Sequence, residues 1–204
     1  MTVKLYYVHD PMCSWCWGYR PTWLRLLEKL PESIDVVYLV GGLAPDSDLP
    51  MPAEMQEGLK HVWQRIHQDL GTEFNFDFWT KNQPRRSTYP ACRAVLAAEK
   101  MGDKGLDMIE AIQAAYYIKA MNPSNLSVLI QLATEIGLEK NRFSELLKQE
   151  SFEQEFNRTL EFAHQLPIAG FPSLVLETSG KYVPIKLDYK DEQVSLSDIA
   201  SHIQ

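Results

Sequence analysis

The sequence is poor in cysteine, has no long apolar run, and carries too little positive charge to build a basic surface. Three cysteines in 204 residues are too few for a disulfide framework. No apolar stretch approaches the ~18 residues of a membrane span; the longest, at 36–44, is interrupted by glycines. Twenty Lys and Arg stand against 27 Asp and Glu, a net charge of −7. Nucleic acid and anionic membrane both require a basic surface, so neither is expected as a partner. The opening residues MTVKLYYVHDP lack the basic stretch, apolar core and small-residue cleavage site of a secretion signal, and a cytoplasmic location is expected. Repeats and low-complexity tracts are also missing. What remains is an ordinary globular composition, 45% apolar and 23% charged, in a length that suits one domain or one domain with a large insertion.

The pattern along the chain begins with a β-prone run at 2–8 (TVKLYYV). Helical spacing follows at Trp23, Leu24, Leu27 and Leu30, and a second strand is expected at 34–40, apolar enough to be covered on both faces. Strand, helix and strand within 40 residues predict a right-handed βαβ unit with parallel strands. From Pro50 the texture becomes helical. Met55, Leu59, Val62, Ile66 and Leu70 form one stripe closed by Gly71, and further helices follow Ser87-Thr88, Leu106 and Asn125. A short helix is expected near 142–148, and Ser151 with Gln154 reads as the capping box of a last helix in this block. Phe74, Phe76 and Phe78 alternate with polar residues and read as extended. Strand texture returns at 173–177 and 182–188 around a Thr178-Ser179-Gly180 turn, and Ser195 reads as the cap of a terminal helix with Leu196, Ile199 and Ile203 inward. The fold class is α/β: a small sheet domain interrupted by a block of helices.

The chemistry concentrates at Cys13-Ser14-Trp15-Cys16, just after the first strand and at the mouth of the first helix. A thiolate attacks a disulfide, and first-turn N–H groups with the helix dipole favour negative charge at Cys13. Such surroundings bring a cysteine pKa from about 8.5 into a range of roughly 3.5–7.5. Two intervening residues place Cys16 one turn behind, within reach of a disulfide. On this reading Cys13 is the exposed attacking sulfur and Cys16 the partly buried resolving one. A CxxC is also half a zinc site, but zinc takes four ligands and usually a second pair of matching spacing. The only other thiol is Cys92, and the five histidines form no HxxxH or HxH pair, so no metal is expected. A CxxC beside a βαβ pattern reads as a redox pair. Gly170-Phe171-Pro172-Ser173 stands at the head of the third strand, a position where proline is tolerated.

The CxxC after strand one, the long helical block and the FPSLVL strand together resemble the thioredoxin fold of DsbA type. The DPMCSWCWG segment resembles the FrnE-like and 2-hydroxychromene-2-carboxylate isomerase-like branch. The resemblance implies a thioredoxin-like domain from residues 1–45 and 166–204, with 46–165 as an all-helical insertion capping the CxxC edge. It implies a thiol–disulfide oxidoreductase with Cys13 as nucleophile, Cys16 as resolving cysteine, Pro172 as a cis-proline facing the sulfurs, and Phe171 as the residue whose backbone pairs with substrate. Trp15 joins Phe171 and Pro172 as an expected substrate-binding residue. The partner is then a disulfide-bearing protein or a low-molecular-weight thiol, with no cofactor beyond glutathione as substrate or reductant. Periplasmic DsbA has Pro-His between its cysteines; Ser14-Trp15 supplies no cation, which implies a weaker oxidant. The alternative is a glutathione-dependent isomerase or transferase, related to the isomerases above and to kappa-class glutathione transferases, which use serine where Cys13 stands.

Other residues have plainer readings. Cys92 lies on a small-residue helix face and reads as a buried small hydrophobe. Asp10 either caps the first helix or moves protons, although a carboxylate beside a thiolate raises the thiol pKa. His9 is placed in the same way. Trp17 and Tyr19 either line a groove beside the sulfurs or pack in the core, and Arg85-Arg86 are a solvated pair or a carboxylate site.

Overall fold

The structure is a computed structural model, described for residues 3–203; Thr2, counted into the first strand above, lies outside them. Four strands, β1 (Val3–His9), β2 (Ile34–Val40), β3 (Ser173–Thr178) and β4 (Lys181–Ile185), form one sheet in the order β2-β1-β3-β4. β1 runs parallel to β2, with Val3 opposite Ile34 and His9 opposite Val40. It runs antiparallel to β3, with Leu5 opposite Leu176. β3 and β4 form a hairpin. Its turn residues Ser179 and Gly180 both have positive φ, 51° and 74°, as a two-residue turn matched to strand twist requires. β2 is an edge strand with Asp35 exposed, yet it packs on both faces: Ile34, Val36 and Tyr38 join one core and Val37 and Leu39 the other.

The chain divides into two compact units, one running up to Gly41 and resuming at Thr159, the other spanning Gly42–Arg158. The first unit contains the sheet, α1 (Ser14–Lys29), α9 (Glu192–Ile203) and the end of α8 (Glu150–Gln165). Side chains alternate across β1. Leu5 and Tyr7 join Tyr19, Trp23 and Leu26 of α1, Ile199 of α9, and Leu174 and Leu176 of β3 in one core. Tyr6 and Val8 join Leu39, Val175, Ala163 and Leu166 in another. α9 begins three residues before Ser195, whose hydroxyl instead donates to Lys186 O at 2.7 Å. Ile203, expected inward, is exposed, as is Leu24 of α1.

The second unit holds α2 (Ala53–Leu70), α3 (Phe78–Lys81), α4 (Tyr89–Gly102), α5 (Gly105–Tyr117), α6 (Leu126–Glu135), α7 (Lys140–Leu146) and the start of α8. α2 ends at Gly71 with φ 72°, but it buries Trp63 and Ile66 and leaves Met55 exposed. Trp63 explains this: it stacks on Phe74 at 5.0 Å and meets Trp79, Tyr116 and Tyr117 at 4.9–5.5 Å. The Phe74–Phe78 segment is not a strand. Asn75 Oδ1 accepts from Asp77 N at 3.0 Å, a side-chain turn that leads into α3. α8 starts at Glu150, so Ser151 lies inside the helix rather than capping it.

Candidate active site

The site is assembled where β1 hands over to α1. Asp10 makes the turn: its Oδ1 accepts from Met12 N at 2.7 Å and its carbonyl accepts from Cys13 N at 3.0 Å. It is fully buried. Cys13 is the N-cap of α1, with extended backbone (φ −81°, ψ 116°). Its Sγ accepts from Cys16 N at 3.3 Å, standing where a serine or aspartate oxygen usually caps a helix. The sulfur thus meets an otherwise unpaired first-turn N–H at the positive end of the helix.

Cys16 is fully buried. Burial pushes its thiol well above the ordinary range, and the hydrogen bond and charge of Cys13 push in the same direction. Neither cysteine is in a disulfide, so the pair is described in its reduced form. Cys13 was expected to be exposed and is not: only 5% of its surface is accessible. The N-cap position identifies which sulfur lies at the helix mouth, but it does not reveal what packs around it.

Phe171 and Pro172 approach from the start of β3. Their peptide bond is cis, and the Cys13 thiol donates to Phe171 O at 3.5 Å. Phe171 is itself located by Gly41, just past the end of β2. A Cβ on Gly41 would stand 2.1 Å from Phe171 Cε1. Gly41 N donates to His9 O at 2.8 Å, and His164 Nε2 lies 2.9 Å from Gly41 O. Glycine is needed here for close approach, not for an unusual φ.

Trp15, half-buried between the two cysteines in sequence, meets Tyr189 edge-on at 5.1 Å, and Tyr189 meets Tyr19 at 5.6 Å. Burial raises the Tyr189 hydroxyl pKa, with Cys13 and Cys16 adding to the shift. The segment after β4 that carries Tyr189 is tied to α1. Thr22 Oγ1 donates to Tyr189 O at 2.6 Å, and Arg25 Nη2 donates to Thr22 Oγ1 and to Lys190 O. Arg25 and Lys29 both pair with Glu192, and these hydrogen bonds hold its carboxyl down at about 2.

His9, the last residue of β1, is fully buried and stacked on Tyr7 at 5.2 Å. Among the described residues neither ring nitrogen has a hydrogen-bond partner, and burial lowers its pKa to about 3. Trp17 is half-buried and Tyr19 belongs to the core. Cys92 is fully buried in α4. Arg85 does not offer a carboxylate site, since its Nη2 donates to Ser124 O and Asn125 Oδ1 at 2.6 and 2.7 Å. Gly41 and Tyr189 were not singled out from the sequence. The Gly-Gly pair closing β2 was the one local sign of the first, and no motif marks the second. Among the described residues no three His, Cys, Asp or Glu side chains gather as a metal site, and no helix is long and apolar enough to cross a membrane.

A four-stranded sheet with a CxxC at the first helix and a proline opposite it defines a thioredoxin-type protein. The chain matches the family described as thioredoxin over residues 6–187 and belongs to it. Its solved neighbours are of DsbA type. A candidate protein disulfide isomerase of Nitrosomonas europaea superposes with a TM-score of 0.85 at 26% identity, covering 98% of this chain and 97% of that one. The cytosolic disulfide reductase DsbM of Pseudomonas aeruginosa gives 0.77 at 25% identity, covering 97% and 98%. The thioredoxin-like fold with its helical insertion is thereby established. Among curated proteins, the ClpXP adapter protein SpxH of Bacillus subtilis is 23% identical over 92% of this chain and 64% of its own length. For SpxH of Halalkalibacterium halodurans the share of its own length is 58%, so the chain spans about six-tenths of the curated relatives it matches. Those names point away from the FrnE-like branch.

Proposed function

We propose that this chain is a cytoplasmic thiol–disulfide oxidoreductase working through Cys13 and Cys16. The observation that carries the reading is the position of Cys13 Sγ, which takes the Cys16 N–H at the helix mouth and touches Phe171 O beside Pro172. A substrate disulfide approaching Cys13 meets the Phe171 carbonyl, and the half-buried Trp15 ring offers an apolar surface between the two cysteine positions. The Cys13 thiolate attacks one substrate sulfur and the other leaves as a thiolate. Cys16 then attacks Cys13 Sγ, gives up its proton and releases the second substrate sulfur as a thiol. Cys13 and Cys16 are the catalytic residues in this reading, and Trp15, Phe171 and Pro172 form the substrate surface.

The substrates are protein disulfides or low-molecular-weight thiols, with glutathione as substrate or reductant. The similarity to DsbM, one structure of which contains GSH, supports that choice and the cytosolic location. The role in the SpxH names is not transferred, since the chain covers only part of those proteins. The test is turnover of a small disulfide with a monothiol as reductant. Wild-type chain turns over, and Cys13→Ser loses at least about a hundredfold, since the oxygen cannot replace the attacking thiolate. Turnover retained by Cys13→Ser contradicts the reading, and a glutathione-dependent isomerase or transferase then takes its place.

A further inference from the structure

We propose that His164 is a positioning residue for disulfide exchange: its imidazole fixes Gly41 as the floor under the Phe171 ring and so holds the Phe171 carbonyl at Cys13. The proposal rests on the oxidoreductase reading above and adds a residue to the same site. Cys13, Gly41, His164 and Phe171 all belong to the first compact unit.

Gly41 is a point where position matters and side chains cannot supply it. It is followed by Gly42, whose φ is 65°, so two consecutive residues have no side chain to anchor and the widest backbone freedom. Yet the Phe171 ring occupies the space that a Cβ on Gly41 would take, 2.1 Å from Cε1 and 2.2 Å from Cζ. Packing of that closeness transmits a shift of the backbone directly to the ring. Two hydrogen bonds hold Gly41 in place. Gly41 N donates to His9 O at 2.8 Å, and Gly41 O meets His164 Nε2 at 2.9 Å. The first ties it to the end of β1 and the second to the last turn of α8.

A carbonyl oxygen only accepts, so Nε2 carries the proton in this bond. His164 is exposed and sits in the last turn of α8, where a basic side chain ordinarily faces water or the carbonyls of its own helix. The ring instead reaches a carbonyl 123 positions earlier. The consequence runs through a short chain of contacts: His164 Nε2 to Gly41 O, Gly41 to the Phe171 ring, and Phe171 O to the Cys13 thiol at 3.5 Å. Ring and carbonyl belong to one residue, so a shift of the floor moves the surface that a substrate meets beside Cys13. Loss of one such hydrogen bond changes an equilibrium by a factor of about two to ten. The sulfurs themselves are untouched, so the effect falls on KM rather than kcat.

The experiment is steady-state reduction of bis(2-hydroxyethyl) disulfide by glutathione on the full chain. His164→Leu removes the donor, whereas His164→Gln keeps an N–H donor at similar reach. His164→Leu is expected to raise KM about fivefold with kcat within about twofold of wild type, and His164→Gln to stay within about twofold in both. In a Phe171→Leu background, where the ring is gone, His164→Leu should have no further effect on KM. If His164→Leu does not fold, His164→Ala removes the same donor and is held to the same expectation. An unchanged KM overturns the proposal, as does a loss confined to kcat, or a His164→Gln variant as impaired as His164→Leu. The same loss with and without the Phe171 ring also overturns it, since His164 would then act on the fold alone. Absence of turnover by the wild-type chain overturns the oxidoreductase reading and this proposal with it; wild-type turnover with an unmoved KM in His164→Leu overturns this proposal alone.

Discussion

The Phe171 ring fills the space in front of Gly41: a Cβ at position 41 would stand 2.1 and 2.2 Å from its Cε1 and Cζ. Since Phe171 O is the acceptor for the Cys13 thiol, this contact locates the carbonyl that faces the sulfur. Gly41→Ala is expected to displace the ring, destabilise the fold by about 1–3 kcal/mol as overpacking does, and lower disulfide turnover by about tenfold through misplacement of the carbonyl. Denaturant unfolding and steady-state turnover check the two effects. An alanine variant with unchanged midpoint and unchanged turnover contradicts the role given to Gly41.

The two sulfurs differ in reactivity. Cys16 is fully buried and its thiol is pushed up by that burial, whereas Cys13 lies at the helix mouth. Alkylation of the reduced protein at pH 7 is expected to label Cys13 at least about ten times faster than Cys16. Peptide mapping after timed quenching reads the order, and preferential labelling of Cys16 runs against it.

His9 makes the fold sensitive to mild acid. Its folded pKa lies near 3 against 6.5 in the open chain, so folded protein keeps it neutral where unfolded protein protonates it. Above pH 6.5 it adds no pH dependence. As pH falls from 6.5 towards 3 the unfolded state gains a proton that the folded state lacks, and stability declines with a slope approaching about 1.4 kcal/mol per pH unit. Unfolding curves at pH 7, 6 and 5 should show this decline in wild type and a flatter dependence in His9→Phe. Parallel curves for the two proteins remove His9 as the cause.

Glu192 acts in a lower window. Its carboxyl is held down at about 2 by Lys29 and Arg25, so its contribution is fully present above pH 4.5 and is lost as pH falls towards 2. Because Arg25 also holds Thr22 and Lys190 O, Glu192→Gln is expected to loosen the segment carrying Tyr189. Faster amide exchange at residues 187–191, with the sheet unchanged, is the expected reading; exchange identical to wild type contradicts the link.

The elements that depend on local spacing were readable from the sequence. β2 at 34–40, the Gly71 stop of α2 and the turn at Ser179-Gly180 follow from residue chemistry within a few positions. The candidate site was readable to the same extent. Two cysteines one turn apart announce themselves, and Pro172 at the head of a strand invites comparison with them. What was not readable depends on packing at long sequence separation. Gly41 meets Phe171, and Trp15 meets Tyr189, across more than a hundred residues without a motif in either segment. Cys13 was read as exposed because helix capping says where a sulfur sits along the chain and nothing about its cover. Phe74, Phe76 and Phe78 alternate like a strand, yet the pull of Trp63 and the Asn75 turn outweighs that alternation.

The central claim is that Cys16 resolves a mixed disulfide formed at Cys13, and trapping measures it most directly. Removing the resolving sulfur leaves the first exchange intact and makes release depend on an outside thiol. Cys16→Ser incubated with a glutathione- or peptide-derived disulfide should accumulate a covalent adduct at Cys13, visible as added mass that dithiothreitol removes, while Cys13→Ser gains none. A Cys16→Ser protein that forms no adduct, or that turns over as wild type without added thiol, contradicts the dithiol mechanism.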